Sequence, residues 1–520
     1  MEEPGLFSAL VVPEDLLAAT GGAAWVAAMV EVEVAYLGAL ADCGQAPPAA
    51  AQALAAWWAD PERPGWDLFD PVRLGRLGAN AANPVVPLVA ALRRACPGAA
   101  DWLHRGATSQ DVLDSALVLV AHRAGRLVRQ RLAALAAGLA EWARHGQEVL
   151  LVGRTLLQPA LPTTWAWKAA GWLDGVHQAD EWLREALGAT GVQLGGAVGT
   201  LAALGTEGPR VLDAFASRLG LPAPPVPWHG ARQRPARLAA ALAGVAGTAA
   251  KVAGDLALLQ QAEVGEITDR PDPAPARPGS DPSEPAQPEE ARRGGSSAMP
   301  QKRNPVDAVA ARVAATRAAA LVPVVLASLP GEQERAAGAW QAEWAALAEL
   351  LGLAGAAAEH AASAVAHAQP QPAAMARHLD AGGAGLLAEG VTLALQARLG
   401  RERAAAVMAR ALGKAPADPP GKRLDDHCRE PGRDPVAEAL AADPEVAEVL
   451  GPEELRALLD PRRALGSAAT WVARVLDRQA TWPWPAPMDP PAEDRGTGQD
   501  EEVLQARPVD RPSREEPEDP

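Results

Sequence analysis

Apolar residues recur every three or four positions along three long stretches of the chain. They are Leu113, Leu117, Val120, Leu127, Leu132, Leu135, Leu139 and Trp142 in the first stretch, and Leu238, Leu242, Val245, Val252, Leu256 and Leu259 in the second. A third stretch, from Val306 to Leu326, follows Pro305, a residue suited to the first turn of a helix. Such spacing places one apolar stripe along each helix. It therefore predicts long helices that pack side by side in a bundle.

Segments rich in proline divide the chain. Short interruptions lie at 60–71 and 78–87, and seven prolines fall between 271 and 288. Neither helices nor strands tolerate this density of proline in their interiors. We therefore predict an N-terminal helical domain over 1–105, a central helical bundle over 106–350 with a mobile loop at 268–298, a C-terminal helical domain over 351–478, and a disordered, acidic, proline-rich tail over 479–520.

Composition strengthens the prediction of helices and excludes several classes of partner. Alanine and leucine dominate the apolar residues, whereas Phe and Tyr together number four, and Ala and Leu lose little freedom in a helix. The net charge of −16 argues against nucleic acid or an anionic membrane as the main partner. No basic leader and no uninterrupted run of eighteen apolar residues is present, so a cytoplasmic protein without a membrane span is expected. The three cysteines lie far apart, which argues against a zinc site or a disulfide framework.

The segment 294–305 is the most informative part of the chain for chemistry. It is a Gly-Ser-rich loop that precedes the third long helix, and it carries one of only five lysines. Hydroxyl groups, free backbone N–H groups and a helix N-terminus together favour the binding of an anion. On the residues alone, a solvated Ser-Gly linker is the alternative.

This loop resembles the signature GSSxMPxKxNP of the fumarase/aspartase superfamily at all eight fixed positions among eleven. The resemblance implies an all-α, three-domain fold with a central bundle of long helices. It also implies that Ser296 exchanges a proton with substrate carbon, that Lys302 and Asn304 stabilise the aci-carboxylate intermediate, and that Ser297 and Arg303 contact substrate. No metal and no organic cofactor is implied. The expected assembly is a homotetramer whose active sites combine residues from three subunits, so that Ser296, Thr108 and Leu156 lie well apart in one chain.

Two other segments resemble the same family. The segment 104–111 matches a first signature region, which implies that His104, Thr108, Ser109 and Gln110 contact substrate carboxylate. Thr108 and Ser109 also fit a helix N-cap, and the two roles are compatible. The segment 153–160 resembles a second region and implies that Arg154, Thr155 and Gln158 line the site, with a surface ion pair as the alternative for Arg154.

The second region departs from the family at Leu156, where many members have a histidine. In relatives that release an amine or hydroxide, this histidine serves or positions an acid for the leaving group. A carboxylate leaving group, with a pKa of about 4, needs no proton. Leu156 therefore favours a reaction of that kind.

Further stretches, above all ERAAGAWQAEW at 334–344, resemble the 3-carboxy-cis,cis-muconate cycloisomerases. This implies lactonisation of a tricarboxylate in protocatechuate degradation, with Arg335 as a further cation for the substrate. Two alternatives stay open, a fumarate-releasing lyase of the adenylosuccinate type and an inactive structural paralogue. Leu156 opposes the first. The altered segment 230–233, which lacks the Thr-Gln pair and the Asp of the family, mildly favours the second.

Overall fold

In the computed structural model, residues 5–269, 293–296, 298–299, 301–413 and 434–486 are described. Those up to Pro485 belong to one compact unit. Most of the predicted loop at 268–298 and tail at 479–520 lies outside these residues, as do Ser297 and Cys428. The predictions made for those parts of the chain stay predictions.

The N-terminal part consists of helices that lead to a long one. Its elements are α1 (Leu6–Ala9), α2 (Glu14–Thr20), α3 (Gly22–Asp42), α4 (Pro48–Ala59), α5 (Pro71–Gly78), α6 (Val85–Ala95) and α7 (Ser109–His145). Helix α3 packs along α7, and its residues from Val26 to Leu40 are mostly buried. The N-terminal helices are thereby fixed against the start of the bundle.

The central part contains the other long helices and two short antiparallel ribbons. Its elements are β1 (Leu150–Thr155), β2 (Gln158–Thr164), α8 (Trp165–Gly188), α9 (Gly208–Leu219), α10 (Gln233–Leu259), β3 (Ile267–Asp269), α11 (Val306–Leu326), α12 (Ala339–His367) and β4 (Ala368–Pro370). Strand β1 pairs with β2, and β3 pairs with β4. Helix α12 packs on α7, α10 and α11, while α8 packs on α7 and α10. These five helices form the bundle that the apolar stripes predict, and the all-α class is confirmed.

The C-terminal part is built from shorter helices. They are α13 (Pro372–Gly382), α14 (Ala388–Leu399), α15 (Arg401–Gly413), α16 (Pro435–Ala441), α17 (Pro444–Val449), α18 (Pro452–Leu458) and α19 (Ala468–Ala480). Residues such as Val391, Leu395, Val407 and Leu440 form a core separate from that of the bundle. The boundary predicted between residues 350 and 351 falls inside α12, because the bundle helix continues to His367. The division into three domains stays a prediction.

Helix boundaries agree closely with the sequence pattern. The third stretch forms a helix over Val306–Leu326, as predicted, although Pro305 occupies the N-cap position rather than the first turn. Thirteen of the fourteen apolar stripe positions in the first two stretches are buried, and only Trp142 is half-buried. By length and composition alone, three described helices, α3, α10 and α11, could cross a membrane. Charged residues such as Glu33 in α3, Lys251 in α10 and Arg312 in α11 interrupt each of these helices, so none contains an uninterrupted run of eighteen apolar residues.

Candidate active site

The start of α7 is joined to a neighbouring loop through Asp111. Its carboxylate accepts hydrogen bonds from the backbone N–H groups of Thr108 (2.9 Å), Gly195 (2.8 Å) and Gly196 (3.0 Å). The same carboxylate contacts His229 Nε2 at 2.7 Å. An acidic side chain in the first turn of a helix satisfies N–H groups that have no partner within the helix. Thr108 occupies the N-cap position of α7, as predicted, and Asp111 fixes the backbone on which Thr108 lies.

The side chain of Gln110 is directed into the protein and hydrogen-bonded at both ends of its amide. Its side chain is fully buried, and its amide Nε2 donates to Asp114 Oδ2 (3.1 Å) and to the carbonyl oxygen of His229 (3.0 Å). Its Oε1 accepts a hydrogen bond from Arg335 Nε at 2.9 Å. Arg335 Nη2 also donates to the carbonyl oxygen of Ala197 at 3.2 Å. Gln110 therefore orients Arg335 in this chain, and its predicted contact with a substrate carboxylate stays a prediction.

Beneath Gln110 lies a buried charge cluster, which we define as Asp114, Arg232 and Glu343. Arg232 is 2% exposed, and its guanidinium contacts Asp114 Oδ2 at 2.7 Å and Glu343 Oε2 at 2.5 Å. Burial lowers the pKa of Arg232, but the two carboxylates outweigh burial and raise it. Burial raises the pKa of Glu343 more than Arg232 lowers it. The cluster joins the starts of α7 and α12 to the segment before α10.

The altered segment 230–233 lies against the segment between α11 and α12 that carries Arg335. A Cβ atom at Gly230 would be 3.1 Å from the carbonyl oxygen of Gln333, which is tighter than an ordinary contact. The absence of a side chain at Gly230 lets the two segments approach closely. A threonine at this position, as in the family pattern, would require the segment before Arg335 to shift.

His104 is paired with a buried acid that sequence reasoning did not single out. His104 Nδ1 lies 2.6 Å from Glu33 Oε1, and Glu33 is 1% exposed. Burial lowers the pKa of His104, but the hydrogen bond and charge of Glu33 outweigh it and raise the pKa above 6.5. The backbone of His104 is left-handed, with a φ of 60°. The pair joins α3 to the segment before Thr108.

The His104–Glu33 pair predicts a pH dependence of stability. The pKa of His104 is higher in the folded state than in the unfolded state, so protonated His104 stabilises the fold. This stabilisation is fully present below the unfolded pKa of about 6.5 and is lost as pH rises through the folded pKa. We expect Glu33→Gln to abolish this loss of stability with rising pH. The measurement is the midpoint of urea unfolding at a series of pH values, compared with that of wild type. The control is His145→Gln, whose partner Glu141 is 57% exposed and whose effect should be small. A wild-type pH profile that Glu33→Gln leaves unchanged would contradict the prediction.

Arg154 forms a bidentate ion pair in place of a free cation for the substrate. Its guanidinium donates to Glu266 Oε2 at 2.9 Å and to Oε1 at 2.8 Å, and Glu266 is fully buried. His378 Nδ1 lies 2.6 Å from the same carboxylate. Burial would raise the pKa of Glu266, but His378 and Arg154 hold it below its usual range. The alternative predicted for Arg154 is a surface ion pair, whereas the observed pair has a fully buried carboxylate and joins the β1–β2 ribbon to the segment between α10 and β3. The predicted contact of Arg154 with substrate stays a prediction.

The β1–β2 ribbon ends in a two-residue turn formed by Leu156 and Leu157. Thr155 pairs with Gln158 just below the turn, and both are exposed. Leu156 is 96% exposed and Leu157 is 70% exposed. Both have positive φ, 51° and 63°, a conformation for which Asn and Gly are the usual residues. Two apolar side chains at the tip of an exposed turn indicate that the tip contacts another surface.

The signature loop is partly described. Ser296 Oγ accepts a hydrogen bond from the N–H of Met299 at 3.2 Å, and the N–H of Asn304 donates to the carbonyl oxygen of Gly294 at 2.8 Å. The side chains of Lys302 and Arg303 are exposed, and Ser296 and Asn304 are half-buried. The loop thus presents the side chain of Lys302 at the surface of this chain.

The base of the loop is fixed to α11 and α12. Arg293 forms an ion pair with Asp307, donates to Ser363 Oγ at 3.0 Å and lies 2.6 Å from His367 Nδ1. Asp307 is in the first turn of α11, while Ser363 and His367 are in the last turns of α12. The loop therefore begins at the end of the bundle where α12 finishes.

The predicted site residues lie at two ends of the bundle. Arg232 holds together the starts of α7 and α12, and this end carries Thr108, Ser109, Gln110 and Arg335. The other end, where α7 and α12 finish, carries the base of the signature loop and the β1–β2 ribbon with Arg154, Thr155, Leu156 and Gln158. Helix α7 alone has 37 residues, which corresponds to about 55 Å at 1.5 Å per residue. A single chain thus places the first signature region at one end of the bundle, and the second region and the base of the signature loop at the other end. Among the residues placed by the structure, no group of three or more His, Cys, Asp or Glu side chains could hold a metal ion.

Comparisons with known proteins relate the chain to a family and to individual members. A family model described as Lyase matches residues 77–320. The nitrosuccinate lyase of Streptomyces davaonensis is 38% identical over 486 residues, which cover 91% of this chain and 94% of that protein. The 3-carboxy-cis,cis-muconate cycloisomerase of Pseudomonas aeruginosa is 36% identical over 415 residues, with coverage of 79% and 83%.

A solved structure shares the fold over nearly the whole chain. It is the 3-carboxy-cis,cis-muconate lactonizing enzyme from Pseudomonas putida, which superposes with a TM-score of 0.77 at 33% identity. The match covers 92% of this chain and all of that one. The bundle and the helices on either side of it are thus common to both proteins.

Proposed function

Because the chain belongs to the fumarase/aspartase superfamily of lyases, we propose that it is a lactonising cycloisomerase that converts 3-carboxy-cis,cis-muconate to 4-carboxymuconolactone. The observation that carries the proposal is Leu156, which lies 96% exposed at the tip of the β1–β2 ribbon. A leucine can neither donate a proton nor hold a water for that purpose. The reaction must then proceed without an acid from this position.

Lactonisation meets this condition. One substrate carboxylate adds to a carbon–carbon double bond of the same molecule, so that a carbon–oxygen bond forms and an enediolate-like intermediate develops. In the reverse direction the leaving group is a carboxylate, which departs as the anion because its pKa is about 4. The proposal therefore makes Leu156 compatible with turnover in both directions.

The signature loop supplies the remaining chemistry in this proposal. Lys302, Asn304 and loop N–H groups stabilise the enediolate, which is oxyanion-type stabilisation. The hydroxyl of Ser296 then donates its proton to carbon, and a proton from solvent replaces it. Thr108, Ser109, Ser297, Arg303 and Arg335 hold the other carboxylates, since charge of this density requires cations and hydrogen-bond donors. No step of this scheme uses a metal or an organic cofactor.

A complete site requires several copies of the chain. The first signature region lies at the opposite end of the bundle from the ribbon and the loop, so we propose a homotetramer in which the three regions of one active site come from three subunits. Helix α11 supports this assembly, because Val309, Val313, Val324 and Leu326 are exposed although apolar. A soluble tetramer of this kind belongs in the cytoplasm.

A second candidate is the elimination of nitrite from nitrosuccinate, which the 38% identity to a nitrosuccinate lyase over 91% of this chain favours. In this reaction Ser296 as the alkoxide removes a proton from carbon, the carbon–nitrogen bond breaks, and fumarate and nitrite are released. Nitrite is a weakly basic anion that also departs without protonation. Leu156 is therefore compatible with both candidates, and the substrate decides between them.

The test offers both substrates to the purified full-length chain in parallel. With 3-carboxy-cis,cis-muconate we expect loss of the ultraviolet absorbance of the conjugated diene. With nitrosuccinate we expect no release of nitrite in a colorimetric nitrite assay. Release of nitrite without loss of the diene would replace the first candidate with the second. Turnover of neither substrate by a folded tetramer would overturn the proposal.

A further inference from the structure

An open cavity of about 640 Å³ lies between α8 and α10, and its lining includes neither a residue of the signature loop nor Arg335. Its polar and aromatic lining consists of Trp167, Lys168, Trp172, Thr248, Lys251 and Asp255. Two of the five lysines of the chain thus face one cavity. None of these six residues takes part in the proposed reaction.

The acidic side chain in the lining of the cavity, Asp255, contacts Lys251 and not Lys168. Lys251 Nζ contacts Asp255 Oδ2 at 2.6 Å, and Trp172 Nε1 donates to the same oxygen at 2.9 Å. Among the described residues, no carboxylate lies within ion-pair distance of Lys168. Its ammonium instead lies 5.9 Å from the centre of the Trp172 ring. Asp255 is therefore already neutralised, and Lys168 is the half-buried cation that an incoming anion can reach.

The surroundings of Lys168 disfavour its charged form. Burial lowers the pKa of the Lys168 ammonium. The carboxylates of Asp255 and Glu266 raise this pKa and the positive charge of Arg154 lowers it, but burial outweighs the two carboxylates. A buried cation is costly unless it is paired. A carboxylate in the cavity would supply the missing partner and form a charge-assisted hydrogen bond.

The aromatic lining selects the shape of the ligand. Trp167 is 39% exposed and supplies apolar surface to the cavity, while Trp172, whose ring lies near the Lys168 ammonium, is largely buried and forms part of the wall. Glycines on both helices line the cavity as well and leave room between them. We infer that this cavity binds a small planar carboxylate, aromatic or conjugated, whose charged end pairs with Lys168 and whose flat part lies against the two indoles.

Calorimetric titration of the full-length protein with benzoate tests the inference without depending on catalysis. We expect saturable binding, with Lys168→Met weakening it by about tenfold or more and Lys168→Arg retaining most of it. Lys251→Met is the matched control, because that lysine lines the same cavity but is already paired, and it should change affinity by only about twofold. Cyclohexanecarboxylate, which has the same charge on a non-planar ring, should bind more weakly than benzoate.

Three results would overturn the inference. The first is absence of benzoate binding to a wild-type protein whose circular dichroism shows it to be folded. The second is an equal loss of affinity in Lys168→Met and Lys251→Met. The third is dissociation of the Lys168→Met oligomer, seen as a fall in its sedimenting mass, while benzoate leaves the wild-type oligomer intact. That result would make a second copy of the chain the occupant of the cavity.

Discussion

Ser296→Ala is expected to lower kcat on the true substrate by about 10²–10⁴-fold, the range that a positioned acid or base contributes. The hydroxyl that this change removes carries the proton in the proposed reaction. In the structure, Ser296 Oγ accepts a hydrogen bond only from the N–H of Met299 among the described contacts, so the loop should keep its conformation. We therefore expect KM to change by only a few fold. Steady-state kinetics on the diene or nitrite signal, whichever wild type produces, measures both constants.

Ser363→Ala is the matched control for this prediction. Its hydroxyl accepts a hydrogen bond from Arg293 at the base of the same loop, but it does not belong to the signature segment. Removing it loosens the attachment of the loop, which should affect KM more than kcat. If Ser296→Ala keeps kcat within about tenfold of wild type, Ser296 is not the proton carrier. Equal losses of kcat in both variants would indicate that loop placement, not proton transfer, limits turnover.

The helices of the bundle could be predicted from sequence because their signal is local. An apolar stripe is decided by residues within a few turns, and the described helices α7, α10 and α11 follow it closely. The β1–β2 ribbon could not be predicted in this way. Its turn has Leu156 and Leu157 at positions with positive φ, where Asn-Gly would have indicated a hairpin. The region from 150 to 164 contains five leucines, and leucine favours a helix instead.

The roles of individual site residues were less predictable, because their partners are distant in sequence. Gln110 is directed inward by Arg335, which is 225 positions away, and Arg154 is held by Glu266, which is 112 positions away. Glu33 pairs with His104 across 71 positions. A motif identifies which residues belong to a site, but only the packing of helices decides which of them point into it. Several charged or amide residues in the motifs therefore support others, as Gln110 does for Arg335.

Arg232→Met is expected to lower the free energy of unfolding by about 3–5 kcal/mol, the usual cost of removing one partner from a buried ion pair. The change leaves Asp114 and Glu343 facing each other without a cation, and both are almost fully buried. Burial already raises the pKa of Glu343 with Arg232 present, so loss of Arg232 should raise it further. An acid whose folded-state pKa is raised is destabilising at pH values above its unfolded pKa. The deficit should accordingly shrink as pH is lowered and the acids take up protons.

Arg237→Met is the control, because Arg237 lies one turn further along α10 and pairs with Glu185 at 2.9 Å on the surface. Both of those side chains are more than half exposed, so this variant should lose no more than about 1 kcal/mol. Urea unfolding of the two variants at one protein concentration gives the comparison.

Adding Glu343→Gln to Arg232→Met should recover part of the loss, since it removes one of the two buried acids. Equal losses in Arg232→Met and Arg237→Met would mean that the cluster does not stabilise the fold. In that case the buried charge cluster would serve the site instead of the fold, because Asp114 holds Gln110 and Gln110 in turn orients Arg335.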